Sequence, residues 1–387
     1  MFTETSAAFD VRQLKSIFAS VPSLSFSADQ WSDLVDFLDA QSEDTVIEPI
    51  SDVNQLRLRA DGTIADTGYR FNPIGFSAVA SALATGLNSV FNKLAGEIDY
   101  KHAAGEEPAN VPAAVSVFNI VLQANFSHVQ ERSVIINHAT KTVEGFLGLD
   151  HKMLANKSFV ALVSREIEAV RGSEAEFYRA ELLGREIRLY YSDAKNKWDY
   201  FYGDSPHRVG GGWYFANRED SGTAIRASTA LFTRFGLGVH DNKGRNHVRH
   251  SGADLFGRTS VLISRVIHSD FYPQEKLEPA LRKLSSRKLF THAEDTFDSA
   301  VSRWVSFLTD RKISRDDAKN IVRNAFVVGA DISTSAQLTR YDHPELAART
   351  VYDLFCSMLR YARTQYHTTK DLVQKVALDV VLSQVKN

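Results

Sequence analysis

Apolar residues recur at helical spacing towards both ends of the chain and at strand spacing in its middle. Trp31, Leu34, Val35 and Leu38 stand at i, i+3, i+4 and i+7, with Asp29, Asp33, Asp36 and Asp39 at other positions. With Ser27 and Gln30 as a capping box, this spacing predicts a helix over 31–40 with an acidic outer face. Asp10 is placed to cap an earlier helix over 10–21. Leu56, Leu58 and Ala60 alternate with Arg57 and Arg59 ahead of Asp61-Gly62, the pattern of a short hairpin. Pro73 is a first-turn residue for a helix reaching about residue 95, and its Ala78, Ala80, Ala82, Ala84 and Gly86 let another element approach closely. Residues 101–112, with Gly105, Glu106, Glu107 and Pro108 together, read as a linker before a helix over 112–126.

Strands are expected at 134–136 and 143–147, and a helix at 158–171. Between 186 and 215 β-branched and aromatic residues alternate with charge, as in half-buried strands: Ile187, Leu189 and Tyr191, then Trp198, Tyr200 and Tyr202, then Trp213 and Phe215. Beyond Gly252 helical spacing returns, over 254–268, 273–288, 292–310, 315–328, 344–366 and 370–385. No internal repeat or low-complexity tract interrupts the pattern. It predicts an α+β fold in which helices flank a central, mostly antiparallel sheet, with a largely helical C-terminal half. The expected division is an acidic helical segment 1–50, an α+β core 51–252 with an aromatic and basic sheet, and a helical region 253–387 packed on it.

Composition narrows the function classes. In 387 residues, 44% hydrophobic and 24% charged, there is material for a large core, which excludes wholesale disorder. The formal charge of −2 excludes a strongly basic tail but not a local basic groove, because association responds to the field at a patch. The first sixty residues carry about six more acids than bases, a surface suited to a basic partner. Cys356 is the only cysteine, so no intrachain disulfide or multi-thiolate metal site forms, and its place beside Tyr352, Phe355 and Leu359 reads as core. The first residues lack a signal-peptide pattern, and the most apolar stretch, 74–91, is broken by Ser77, Ser81, Thr85, Gly86, Asn88 and Ser89. An intracellular protein without a membrane partner is expected.

The candidate chemistry lies between 185 and 258. Tyr190, Trp198, Tyr200, Tyr202 and Trp213 are interleaved with Arg185, Arg188, Lys195, Lys197 and Arg208, and Arg226 and Arg234 follow. A sheet face of rings edged by cations suits a single nucleic-acid strand: bases stack on rings at roughly 1–3 kcal/mol each while cations follow the phosphates. The same alternation also fits a sheet whose rings are core and whose charges are solvated. Residues 236–252 form a loop rich in glycine and cations, with Lys243, Arg245, His247, Arg249 and His250, whose freed amides and guanidinium groups suit phosphate oxygens. A plain exposed hairpin tip is the alternative. Its histidines have no carboxylate or thiolate partners at ligand spacing, Gly210-Gly211-Gly212 lacks the Lys-Ser/Thr of a P-loop, and no nucleophile elbow or His-Glu-x-x-His occurs. Neither an enzyme nor a cofactor is expected.

The stretches 217–226, 231–237 and 249–252, together with 143–147, Asn156 and 350–354, resemble the signature of a phage- and plasmid-encoded domain family of unassigned function. Phe235-Gly236-Leu237-Gly238 departs from it, standing where that family carries a cysteine and an asparagine before its glycine. More narrowly, the acidic N-terminal helices and basic aromatic sheet resemble the early single-stranded-DNA-binding transcription regulators (the Drc family) of podoviruses that package their own RNA polymerase. The resemblance implies a non-enzymatic protein of the infected bacterial cytoplasm that binds single-stranded DNA, as an oligomer or singly, and brings a phage RNA polymerase to its templates. A strand-annealing recombinase and an assembly protein that binds no nucleic acid are the alternatives.

Overall fold

The computed structural model describes residues 18–87, 89–91, 111–202, 205–220, 224–233, 236–239, 247–268, 274–288, 302, 305–306, 308–309, 314–329, 350–364 and 367–385. The fold is α+β, as expected. Its larger sheet is antiparallel, in the order β1 (Ser23–Ser27), β6 (Ala175–Leu183), β7 (Glu186–Tyr202), β8 (Ser205–Arg218), β9 (Ile225–Thr233) and β10 (Gly236–Val239), with β11 (His247–Val248) also on β9. A smaller sheet runs β2 (Thr45–Pro49), β4 (Ser133–Asn137), β5 (Thr142–Leu147) and β3 (Arg70–Phe71), only the last pairing being parallel.

Helix α1 (Trp31–Glu43) follows a short turn in which the Ser27 and Gln30 side chains complete the expected capping box. Leu34 and Leu38 bury one face, while Asp33 and Asp36 stay exposed on the other. Helix α2 (Pro73–Leu83) starts at the expected proline, with the Asn72 side chain accepting from the Gly75 amide; the expected helix is interrupted at 84–86 and resumes at Leu87, and residues 92–95 lie outside the described ones. At Gly75 a Cβ would lie 2.7 Å from the Val143 carbonyl oxygen, so only glycine lets α2 sit this close to β5. Helix α3 (Val111–Asn125) packs beside α2, and the two helices with the smaller sheet form a core with Phe71, Phe76, Phe118 and Val134.

The larger sheet is covered on both faces. On one, α1, α4 (Asn156–Arg171) and α5 (Leu255–His268) enclose Phe26, Phe159, Tyr191, Trp213, Phe215 and Ile263. On the other lie Tyr190, Tyr214, Phe232 and Leu237. The distal half of the β7–β8 hairpin carries Trp198, Tyr200 and Val209 into a further core built by α6 (Gln274–Ser286), α7 (Arg315–Gly329), α8 (Val351–Thr364) and α9 (His367–Val385), where Cys356 is buried as expected. Register shifts between Ser192 and Lys197, so the two halves of β7 face different cores.

The expected three-part division does not follow the packing. The β1 strand, absent from the sequence reading, pairs with β6, and α1 shares a core with α4, so residues 23–43 belong to the main body. Helix α5, in the region expected to pack on the core, does pack against the strands. Residues 18–22 are not helical; the rest of the expected first helix, residues 101–110 of the expected 101–112 linker and most of 292–310 lie outside the described residues, and 111–112 already belong to α3. The Asp61-Gly62 turn forms with only an isolated bridge, Leu58 to Ile64.

Candidate nucleic-acid interface

The strand rings do not form an outer platform. Tyr190, Trp198, Tyr200 and Trp213 are all buried, because helices cover both sheet faces. Tyr190 tilts against Tyr214, the Tyr200 hydroxyl meets Ser285 Oγ at 2.6 Å, and Arg171 lies 5.1 Å over the Trp213 ring. Buried rings have no free face for a base, and the expected stacking platform is corrected to a double-sided core. Tyr202 ends β7, paired with Ser205; its side chain lies outside the described residues, as do Arg234, Lys243 and Arg245. Among the described side chains, the exposed ring of this hairpin is Phe201.

Two of the strand arginines are interior as well. Arg188 is buried between Glu186, at 2.9 Å, and Asp371 of α9, at 2.7 Å, and half-exposed Arg226 reaches the same two carboxylates. Lys370, next to Asp371, meets Glu181 at 2.6 Å beneath the same face. Its ammonium, with Arg179, holds the Glu181 carboxyl down at about 2 against the opposing effect of burial. Arg185 donates to Glu144 at 2.5 Å, to Glu219 at 3.2 Å and to Thr45 Oγ1 at 2.6 Å. Arg185 and Arg188 tie layers together and, being buried, are not available to phosphate. Lys195 and Lys197 are on the surface, each in an ion pair, with Glu174 and Glu176. Arg208 is exposed on β8 and His247 on β11.

Of the stretches quoted for the resemblance, 143–147, Asn156 and 217–220 meet where the two sheets join, whereas 350–354 lies in the core of the C-terminal helices. Asn217 donates to Asn156 Oδ1 at 2.8 Å, Asn156 donates to the Arg185 carbonyl at 3.1 Å, and the Asn156 amide donates to Glu219. At Gly145 a Cβ would lie 2.6 Å from the Asp220 Cβ, so β5 and the 217–220 segment touch backbone to backbone. Burial raises the pKa of Glu219 and Asp220 despite the arginines beside them. On one side this wall lines a cavity of about 360 Å³ with Leu38, Met153 and Lys157.

On its other side is a broader cleft of about 1030 Å³, along the seam between the sheets. One wall is α2, with Pro73, Ile74, Ser77 and Ser81; the other is made by the turn after β5 and the segment after β11. Arg132, Arg218 and Arg249 enter it from three different elements, against one lining carboxylate, Asp150. Arg218 is paired with Asp220, and that carboxylate holds the guanidinium pKa above its ordinary value. Arg132 lies over the Phe146 ring, 5.6 Å from its centroid. Arg249 is exposed.

The Arg249 segment is fixed from behind. Lys152 donates its amide to the His250 carbonyl at 2.6 Å, and the His250 ring meets the Lys152 carbonyl through Nδ1 at 3.1 Å. A carbonyl only accepts, so Nδ1 carries the proton. The His250 ring stacks on His151 with centroids 4.9 Å apart, and burial lowers the pKa of both, that of His250 to about 4. Arg258 of α5 donates to the carbonyls of Ser251 at 2.5 Å and Ala253 at 3.0 Å. Of the residues singled out in the sequence, the cleft gathers Arg249 and His250; Arg132, His151 and Arg218 join them from elsewhere.

Among the described residues no three His, Cys, Asp or Glu side chains are grouped to hold a metal ion, and no helix is long and apolar enough to cross a membrane. No protein-family model matches the chain, and no curated protein or solved structure is significantly similar to it.

Proposed function

We propose that this protein binds single-stranded DNA in the seam cleft, with little regard to sequence, and serves as a non-enzymatic cofactor bringing a phage RNA polymerase to such templates. The observation that carries the binding reading is the convergence of Arg132, Arg218 and Arg249 on one open cleft. Guanidinium groups from three elements suit a phosphate chain that runs through, and phosphate contacts carry no sequence information. The polymerase follows from the resemblance of the sequence, and the exposed acids of the first helix region, Asp29, Asp33, Asp36 and Glu43, are the surface offered to a basic partner.

Fluorescence anisotropy with a labelled mixed-sequence strand, against a duplex of equal length over a salt series, tests the reading. The single strand is expected to bind more tightly, with affinity falling steeply as salt rises. Arg132→Ala with Arg249→Ala should weaken binding of all sequences and reduce the slope of log K against log salt by about 1.4, for two phosphates at about 0.7 each. Arg208→Ala, outside the cleft, should change neither, and all variants should melt like the wild type. Binding that survives the double substitution removes the cleft from the site. No binding at low salt ends the nucleic-acid reading.

A further inference from the structure

One side chain in the cleft has no part in holding phosphate. Leu149, in the turn after β5, is 69% exposed, the one large apolar side chain lining the cleft that is exposed among the described residues. Its neighbours do not cover it: Gly148 has open space where a Cβ would stand, and Asp150 is exposed. Close by in the cleft wall, the Arg132 guanidinium carbon lies 5.6 Å from the centroid of the buried Phe146 ring, a cation–π contact. Flat guanidinium planes and apolar side chains are what unpaired bases pack against.

We infer that Leu149, with the face of the Arg132 guanidinium, forms a base subsite in which an unpaired base packs, while the N–H edge of Arg132 together with Arg218 and Arg249 holds the phosphates on either side of it. This rests on the cleft as the strand-binding site and adds a second recognition to it. A leucine and the face of a guanidinium present no donor or acceptor pattern to a base edge, so the subsite accepts all four bases. In a duplex the base faces are covered by their neighbours and only phosphate remains to be bound. The subsite therefore separates single strands from duplex by chemistry rather than charge.

The test compares a short oligothymidylate with an abasic phosphodiester strand of the same length, which keeps the charge and lacks the bases. Wild-type protein should bind the oligothymidylate more tightly. Leu149→Ser should lower that affinity roughly fivefold, leave the abasic strand unchanged, and leave the melting temperature unchanged because the side chain is exposed. Leu149→Phe, a larger packing surface, should raise affinity for the oligothymidylate alone. If wild-type protein binds both strands alike and neither variant alters this, the base subsite is wrong while the arginine cleft stands. If Leu149→Ser weakens both strands equally, the side chain shapes the cleft rather than contacting bases. If neither strand binds at low salt, subsite and cleft fall together.

Discussion

Arg185→Met is expected to destabilise the protein by about 3–5 kcal/mol, because removing one partner of a buried ion pair strands the other's charge. Here two carboxylates are stranded, Glu144 and Glu219, together with the Thr45 hydroxyl. Methionine keeps the volume but supplies no donor. Urea denaturation should show a lower midpoint, and adding Glu144→Gln and Glu219→Gln to the same chain should recover part of the loss, since neutral amides are cheaper to bury than carboxylates. An unchanged midpoint for Arg185→Met would mean that the triad is not closed in solution. The experiment also separates two meanings of one arginine. A DNA-contacting Arg185 would lose affinity at unchanged stability, whereas the tie between sheets loses stability first.

The second large effect is on acid stability. His250 titrates near 4 in the folded chain against an ordinary value of 6.5, so the unfolded chain takes up the proton more readily. Its contribution is fully present above pH 6.5 and is lost as the pH falls towards 4, amounting to about 2–3 kcal/mol. His151, lowered in the same way by burial, adds to the loss. Glu181 extends it, its stabilisation draining between 4.5 and about 2. Glu219 and Asp220 act in the opposite sense: with raised values they hold protons more tightly when folded, and mild acid relieves them. Denaturation series between pH 7 and pH 4.5 should therefore show stability falling with acid. His250→Phe should be less stable at neutral pH, having lost the bond to Lys152, but flatter across this range. Parallel curves for variant and wild type would show that the imidazole is not held neutral.

How far the sequence revealed the fold depended on what each signal encodes. The capping box at Ser27, Pro73 at a helix start and the strands around Val134 and Phe146 were legible because caps and alternation are local. The aromatic strands were found, but not their surroundings. Tyr190 and Tyr191 point to opposite faces and both are buried, which no alternation within one strand announces. Burial of the Tyr190 face depends on α9, nearly two hundred residues away in sequence, sending Asp371 to Arg188 and Lys370 to Glu181. The cleft was half legible. Arg249 and His250 stand in a loop too polar for a core, whereas Arg132 and Leu149 carry no local mark and become neighbours only when the sheets meet.

The pairing of Lys370 with Glu181 spans 189 positions. Strands β6 to β9 are therefore made, and can pair, long before the helix that balances their inner charges exists. A nascent chain stopped short of α9 would hold Arg188 and Arg226 with Glu186 as their one shared carboxylate, on a face of bare tyrosines. That intermediate exposes tyrosine rings together with inner charges of both signs, since Glu181 loses Lys370 as Arg188 and Arg226 lose Asp371. A chain terminated near residue 365 would therefore leave this face uncovered, where the loss of a surface loop would not.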